Sequence, residues 1–102
     1  MNIIEHFVNG KKFLGDSKRT SKVFNPATGE QSAEVKLAST KDMDNAIKAA
    51  KIAFISWSKK PPLQRARVMF KFKEIIEKNF EELTKIIVSE HGKVFDDAKG
   101  EI

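Results

Sequence analysis

Ser39-Thr40-Lys41-Asp42-Met43-Asp44-Asn45-Ala46-Ile47-Lys48-Ala49-Ala50-Lys51-Ile52-Ala53-Phe54-Ile55-Ser56-Trp57 is the stretch whose reading decides the fold. Met43, Ile47, Ala50, Phe54 and Trp57 recur at spacings of four, three, four and three, which is one stripe of an α-helix. Ala46, Ala49 and Ala53 flank the stripe and permit close approach of a neighbour. Ser39 with Asp42 three residues on resembles a capping box, Asp standing in for the usual Glu. Ser58-Lys59-Lys60-Pro61-Pro62 breaks the helix, and Pro62 suits the first position of the next one.

Toward the C-terminus the same period continues. A second helix is predicted from Pro62 to Lys78, with Met69, Phe72 and Ile76 on one face and Val68 and Ile75 alongside. A face that broad implies more than one neighbour. Asn79 is the expected break, since asparagine accepts left-handed backbone and also caps helices. A third helix carries Phe80, Leu83, Ile86 and Ile87, with His91 in its last turn and Gly92 closing it. Val94 to Ile102 opens a fourth helix that Gly100 weakens, and the pattern stops before a closing signal. Residues 39–102 are therefore expected to be the helical segment of one incomplete domain.

Toward the N-terminus the period changes to two. Asn9-Gly10 between Phe7-Val8 and Lys11-Lys12-Phe13 is the signal of a hairpin with a type I′ turn. Gly15 to Ser21 reads as a polar loop, and Val23-Phe24 resumes an extended segment. Asn25-Pro26-Ala27-Thr28-Gly29 reads as a turn, because proline fixes φ and pushes Asn25 out of the helical region. Ala33, Val35 and Leu37 then alternate with Ser32, Glu34 and Lys36, a strand with one apolar face. Residues 1–38 are expected to form two β-hairpins or one meander.

Composition narrows the chemistry. At 102 residues, 40% of them hydrophobic, the chain is one domain at most and has the balance of a globular segment. It has no cysteine, which excludes disulfides, thiolate catalysis and cysteine metal sites. The net charge of +5 invites a nucleic-acid reading. However, Lys71, Lys73, Lys78 and Lys85 alternate with Glu74, Glu77, Glu81 and Glu82, the pattern of solvated helix faces. The aromatic residues sit at apolar-face spacing and make no stacking platform for bases, so no nucleic-acid partner is expected. Glu5 comes early and no long apolar core follows, so no signal peptide or membrane span is expected. The expected compartment is the cytoplasm, or the mitochondrial matrix in a eukaryote, although no transit peptide is seen.

No motif completes a reactive constellation. Gly92-Lys93 lacks both the upstream glycine and the following Ser or Thr of a phosphate loop, and no G-x-G-x-x-G occurs. His6 and His91 are isolated, and His91 reads as a helix cap. Asp96, Asp97 and Glu101 read as a solvated face rather than a cation site. Ser56, Ser58 and Lys59 have no local base to activate a nucleophile. Arg65 and Arg67 are placed to bind an anion, but are expected to bridge to acids on neighbouring elements instead. Trp57 reads as core.

Several runs resemble the opening of aldehyde dehydrogenases: Phe24-Asn25-Pro26-Ala27-Thr28-Gly29-Glu30 before an alternating strand, the helix Ala46 to Trp57, and Pro62-x-x-Arg65-Ala66. Glu90-His91-Gly92-Lys93 followed by Asp97-Ala98-Lys99-Gly100-Glu101-Ile102 resembles the methylmalonate-semialdehyde branch of that family. The resemblance implies an α/β parent fold. It makes residues 1–38 the N-terminal β-hairpins, and residues 39–102 three to four α-helices flanking the nucleotide-binding domain. It implies NAD-dependent oxidation of methylmalonate or malonate semialdehyde, with decarboxylation, to propionyl- or acetyl-CoA. The implied partners are NAD, coenzyme A, the semialdehyde and the remainder of the dehydrogenase chain in a homo-oligomer. In that pattern the catalytic cysteine and the nucleotide and substrate contacts lie beyond Ile102, so no residue here receives a catalytic, cofactor or metal role. The chain alone is then expected to be inactive. Two alternatives stand beside this reading: another aldehyde dehydrogenase that forms an acid, and a stand-alone interaction module built on the same scaffold.

Overall fold

The computed structural model describes every residue from Met1 to Ile102. It divides into two compact units, residues 1–24 with 31–59, and residues 25–30 with 60–102.

The first unit contains five strands and one helix. β1 (Asn2–Ile4), β4 (Thr20–Phe24) and β5 (Gln31–Lys36) form a sheet in the order β1-β5-β4, while β2 (His6–Val8) and β3 (Lys11–Phe13) form a separate ribbon. Asn9 and Gly10 have φ of 53° and 76°, the two positive values a type I′ turn demands, and they set His6 opposite Phe13. β4 and β5 pair antiparallel from Thr20 opposite Lys36, with an irregularity at Val23 and Phe24. Both expected hairpins are therefore present. The sequence reading missed β1, which runs parallel to β5 with Asn2 opposite Ala33 and Ile4 opposite Val35. A parallel partner needs a long connection rather than a tight turn, so no local signal marks it.

α1 (Thr40–Trp57) begins at Ser39, whose ψ of 167° is still extended. Ser39 Oγ accepts from the Asp42 N–H at 3.0 Å, and Asp42 Oδ2 accepts from the Ser39 N–H at 2.9 Å. The capping box is thus complete, and two helix-start donors are satisfied reciprocally.

In the second unit, residues 25–30 make a closed turn. The Asn25 N–H donates to the Glu30 carbonyl at 2.8 Å, and Asn25 Oδ1 accepts from the Ala27 N–H at 2.9 Å. α2 (Pro62–Lys78) starts on its proline, α3 (Phe80–His91) follows after one residue, and α4 (Phe95–Lys99) is a short last turn. Asn79 breaks the helix as expected, but not in left-handed geometry. Its φ is −107°, and its side-chain amide donates to the Ile75 carbonyl at 2.8 Å, so it closes α2 by a side-chain cap instead. Gly92 is left-handed, with φ of 77°, and its N–H donates to the Val88 carbonyl at 2.9 Å. The charged faces are laced by pairs such as Lys73 with Glu77 and Lys85 with Glu81, four residues apart in each case. No helix is long and apolar enough to cross a membrane.

The chain buries little. Ala33 and Ala98 are the buried apolar residues, with Asp42 and Thr84 the buried polar ones. Its accessible surface is 8318 Å² for 11.5 kDa. Large apolar side chains stand open: Met43, Ile47, Phe54 and Ile55 on α1 and Met69, Phe70 and Phe72 on α2 are each at least half exposed.

Candidate functional site

The best-organised polar cluster is in the first unit, at the start of α1. Asp42 is 6% exposed. Its carboxylate accepts from the Ser39 N–H and also from the Asp16 N–H, at 3.2 Å to Oδ2. Gly15 makes this approach possible: with φ of +75° it leaves open a place where a Cβ would stand 2.5 Å from Asp42 Oδ2. The Ser39 N–H holds the Asp42 carboxyl below its ordinary value of 3.8, burial pushes the other way, and the Ser39 hydroxyl, the Asp16 N–H and nearby His6 add to the lowering. Sequence reading found Asp42 as a cap but missed its reach to Asp16. The sole hint was a glycine in the preceding loop.

His6 lies on β2 against the Phe13 ring, 5.2 Å between centroids, and its buried Nε2 has no hydrogen-bond partner. With Phe7, Val8, Ala38, Met43 and Ala46, the His6–Phe13 pair and Asp42 line a hollow of about 250 Å³. The hollow is apolar apart from His6 and Asp42, and Asp42 is already committed to backbone donors. It contains no nucleophile, and a carboxylate with a lowered pKa is a poor general base.

The other residues weighed from sequence are scattered or occupied. Lys93 beside Gly92 forms an ion pair with Glu101, which keeps the Glu101 carboxyl below its ordinary range. A lysine so engaged is not poised for a phosphate. Asp96 faces Lys99 at 3.9 Å, and no three His, Asp or Glu side chains are grouped to hold a metal ion. The Ser56 and Ser58 hydroxyls donate to the carbonyls of Ala53 and Ile55. Both serines therefore face their own helix rather than a base. His91 sits exposed in the last turn of α3.

Two expectations fail. Arg65 and Arg67 make no ion pair, and the Arg65 Nε is buried without a partner. Beyond α2, Glu81, Glu101 and Asp96 are taken by Lys85, Lys93 and Lys99, and on α2 itself Glu74 and Glu77 are held by Lys71, Lys73 and Lys78. Trp57 is 36% exposed rather than core, because nothing in the first unit covers that end of the α1 stripe.

What the chain presents, then, is apolar surface carried on well-closed secondary structure. In the second unit Met69, Phe72, Ile76, Phe80 and Ile102 line a groove of about 390 Å³, rimmed by Lys73 and Glu77. Apolar surface of this kind marks a site of interaction rather than of bond-making.

Comparison with known proteins gives this scaffold its kin. A profile of the "Aldehyde dehydrogenase family" matches residues 13–102. The malonate-semialdehyde dehydrogenase of Pseudomonas aeruginosa is 42% identical over 102 residues, which is 100% of this chain and 20% of the relative. The crystal structure of a Sinorhizobium meliloti 1021 protein complexed with NAD superposes with a TM-score of 0.95 at 45% identity, over 100% of this chain and 21% of that one. The methylmalonate-semialdehyde dehydrogenase of Oceanimonas doudoroffii superposes with a TM-score of 0.93 at 48% identity, over 99% of this chain and 20% of that one. The chain thus spans about a fifth of the length of the curated relatives it matches.

Proposed function

Because the chain belongs to the aldehyde dehydrogenase family, we propose that it serves as the N-terminal scaffold segment of an NAD-dependent, CoA-acylating methylmalonate- or malonate-semialdehyde dehydrogenase. The observation that carries this reading is the 42% identity, across all 102 residues, to an enzyme named for malonate semialdehyde. The parent reaction would oxidise the semialdehyde and release CO₂ to leave propionyl- or acetyl-CoA, with NAD accepting the hydride. In this reading residues 1–38 supply the N-terminal hairpins and residues 39–102 the helices that flank the nucleotide-binding sheet. The natural partners of their apolar faces are that sheet and the rest of a homo-oligomeric cytoplasmic enzyme.

The residues of this chain do not fit NAD by themselves. The start of α1 is filled by the Asp42 carboxylate, and the first turn of α3 carries Glu81 and Glu82, so both would repel a pyrophosphate. The start of α2 has no side-chain cap, and Arg65 there keeps its Nε buried rather than presented. Nucleotide contacts are therefore assigned to the remainder of the longer enzyme. Aldehyde oxidation through a covalent thiohemiacetal needs a thiolate, and this sequence has no cysteine.

The polypeptide alone should be inactive. Incubated with NAD, coenzyme A and malonate semialdehyde, it is expected to give no NADH absorbance above a protein-free control. Turnover above that control would overturn the scaffold reading. The uncovered faces of α1 and α2 also favour a second reading, an interaction module that uses the same scaffold to bind another chain. A monomer that melts cooperatively and leaves its faces unpaired would support the module over the segment.

A further inference from the structure

Asn9-Gly10 makes the loop between β2 and β3, and it is also a chemically reactive pair. An amide side chain stands one residue before a backbone N–H that no side chain of its own shields. No other asparagine has that neighbour. Asn2 precedes Ile3, Asn45 precedes Ala46 and Asn79 precedes Phe80, while Asn25 precedes Pro26, which has no N–H. The structure widens the difference. Asn25 Oδ1 accepts from the Ala27 N–H, the Asn79 amide donates to the Ile75 carbonyl, and Asn45 is held within α1. Asn9 and Gly10 are both exposed, and no hydrogen bond holds the Asn9 side chain or the Gly10 N–H. The ribbon that carries them has three residues in each strand and stands outside the three-stranded sheet, so it opens locally. Opening frees the Asn9 backbone to swing its side chain onto the next nitrogen.

We propose that Asn9 is a site of spontaneous deamidation, and that the change unpins the β2–β3 ribbon. The Gly10 nitrogen gives its proton to solvent base and attacks Asn9 Cγ. The N–Cγ bond forms, the Cγ–Nδ2 bond breaks and ammonia leaves, which closes a succinimide ring. Water then adds to either ring carbonyl and opens it. One opening gives aspartate; the other gives isoaspartate, whose main chain runs through Cγ and is longer by an atom. Nothing is oxidised or reduced. Aspartate tolerates the left-handed φ of 53° at this position, so it keeps the turn. Isoaspartate does not, because a type I′ loop fixes both the length of the connection and the backbone angles along it. The register of His6 with Phe13, Phe7 with Lys12 and Val8 with Lys11 hangs on that loop. The His6 and Phe13 rings, 5.2 Å apart, would part with it. Either product also sets a carboxylate at the edge of a hollow of about 300 Å³, where Asn9 meets the alanines of α1.

The test is to age the full folded chain over a series of mildly alkaline pH values. Tandem mass spectrometry of its proteolytic peptides locates each amide turned to carboxyl, and an isoaspartate-specific methyltransferase scores the longer linkage. Asn9 is expected to convert several-fold faster than any other asparagine, faster as pH rises, with isoaspartate the main product. Gly10→Ala should slow the conversion several-fold by shielding the nitrogen, and its Cβ meets nothing within 4 Å. Amides from His6 to Phe13 should exchange hydrogen faster in the aged chain than in the fresh one. Asn9→Asp, which carries the charge without the longer backbone, should exchange like the fresh chain. Asn9 that stays an amide in the folded chain while the urea-unfolded chain converts it would overturn the proposal. So would conversion no faster than at Asn45 or Asn79. Isoaspartate at Asn9 with unchanged exchange through the ribbon would overturn the unpinning, and fast exchange in Asn9→Asp would overturn its backbone cause.

Discussion

At Gly15 two demands coincide: a φ of +75°, and an Asp42 oxygen 2.5 Å from where a Cβ would stand. Gly15→Ala should therefore destabilise the first unit by more than the left-handed backbone alone costs, which is about 1–2 kcal/mol. A urea titration followed by circular dichroism would register this as a lower midpoint, and an unchanged midpoint would contradict the contact. Asp42 carries a pH signature. Its folded pKa lies below its ordinary value of 3.8, with the Ser39 N–H as the first cause, so its contribution is fully present above 3.8 and fades as pH falls through the lower folded value. Asp42→Asn keeps an acceptor for the cap but cannot titrate. Its stability should vary less than wild type below pH 3.8, and parallel acid limbs for the two proteins would refute the assignment.

Elements in this chain are set by their ends, which is why they were legible. The Ser39–Asp42 box, the Pro61-Pro62 break, the Asn9-Gly10 turn and Gly92 each act within a few residues, and the structure places helix and turn boundaries at them. Ser39→Ala should cost about 0.5–2 kcal/mol through loss of one cap acceptor, read as a lower thermal midpoint with an unchanged fold. Ala98, fully buried where α4 meets α3, leaves no room for growth. Ala98→Leu should cost about 1–3 kcal/mol by overpacking, while a change at exposed Glu90 should stay within about 0.5 kcal/mol. The parallel seat of β1 beside β5 was not legible, because it depends on residues about thirty positions apart that no single tight turn joins. The reach of Asp42 to Asp16 escaped for the same reason: it is a contact across 26 residues.

For the whole molecule the sequence's stripes said which side chains are apolar but not what lies on them. The family resemblance supplied the α/β frame, and the comparisons agree with it. The candidate site reflects the same composition: the chain has no cysteine, and Lys71, Lys73, Lys78, Lys85 and Lys93 are held by glutamates. Free in solution, the polypeptide should self-associate as concentration rises. The double change Ile47→Lys with Phe54→Lys should suppress this while leaving helix content intact, since both side chains are at least half exposed. Light scattering across a dilution series would decide it, and equal masses for both proteins at every concentration would argue against an adhesive α1 face. The parallel seat of β1 also has a consequence for how the molecule is born. Asn2–Ile4 leaves the ribosome well before Ala33–Val35 exists to receive it, so the leading strand must wait, unpaired, until the β4–β5 ribbon has emerged. Any appendage fused ahead of Met1 rides on that late-docking edge and is expected to slow or block its capture.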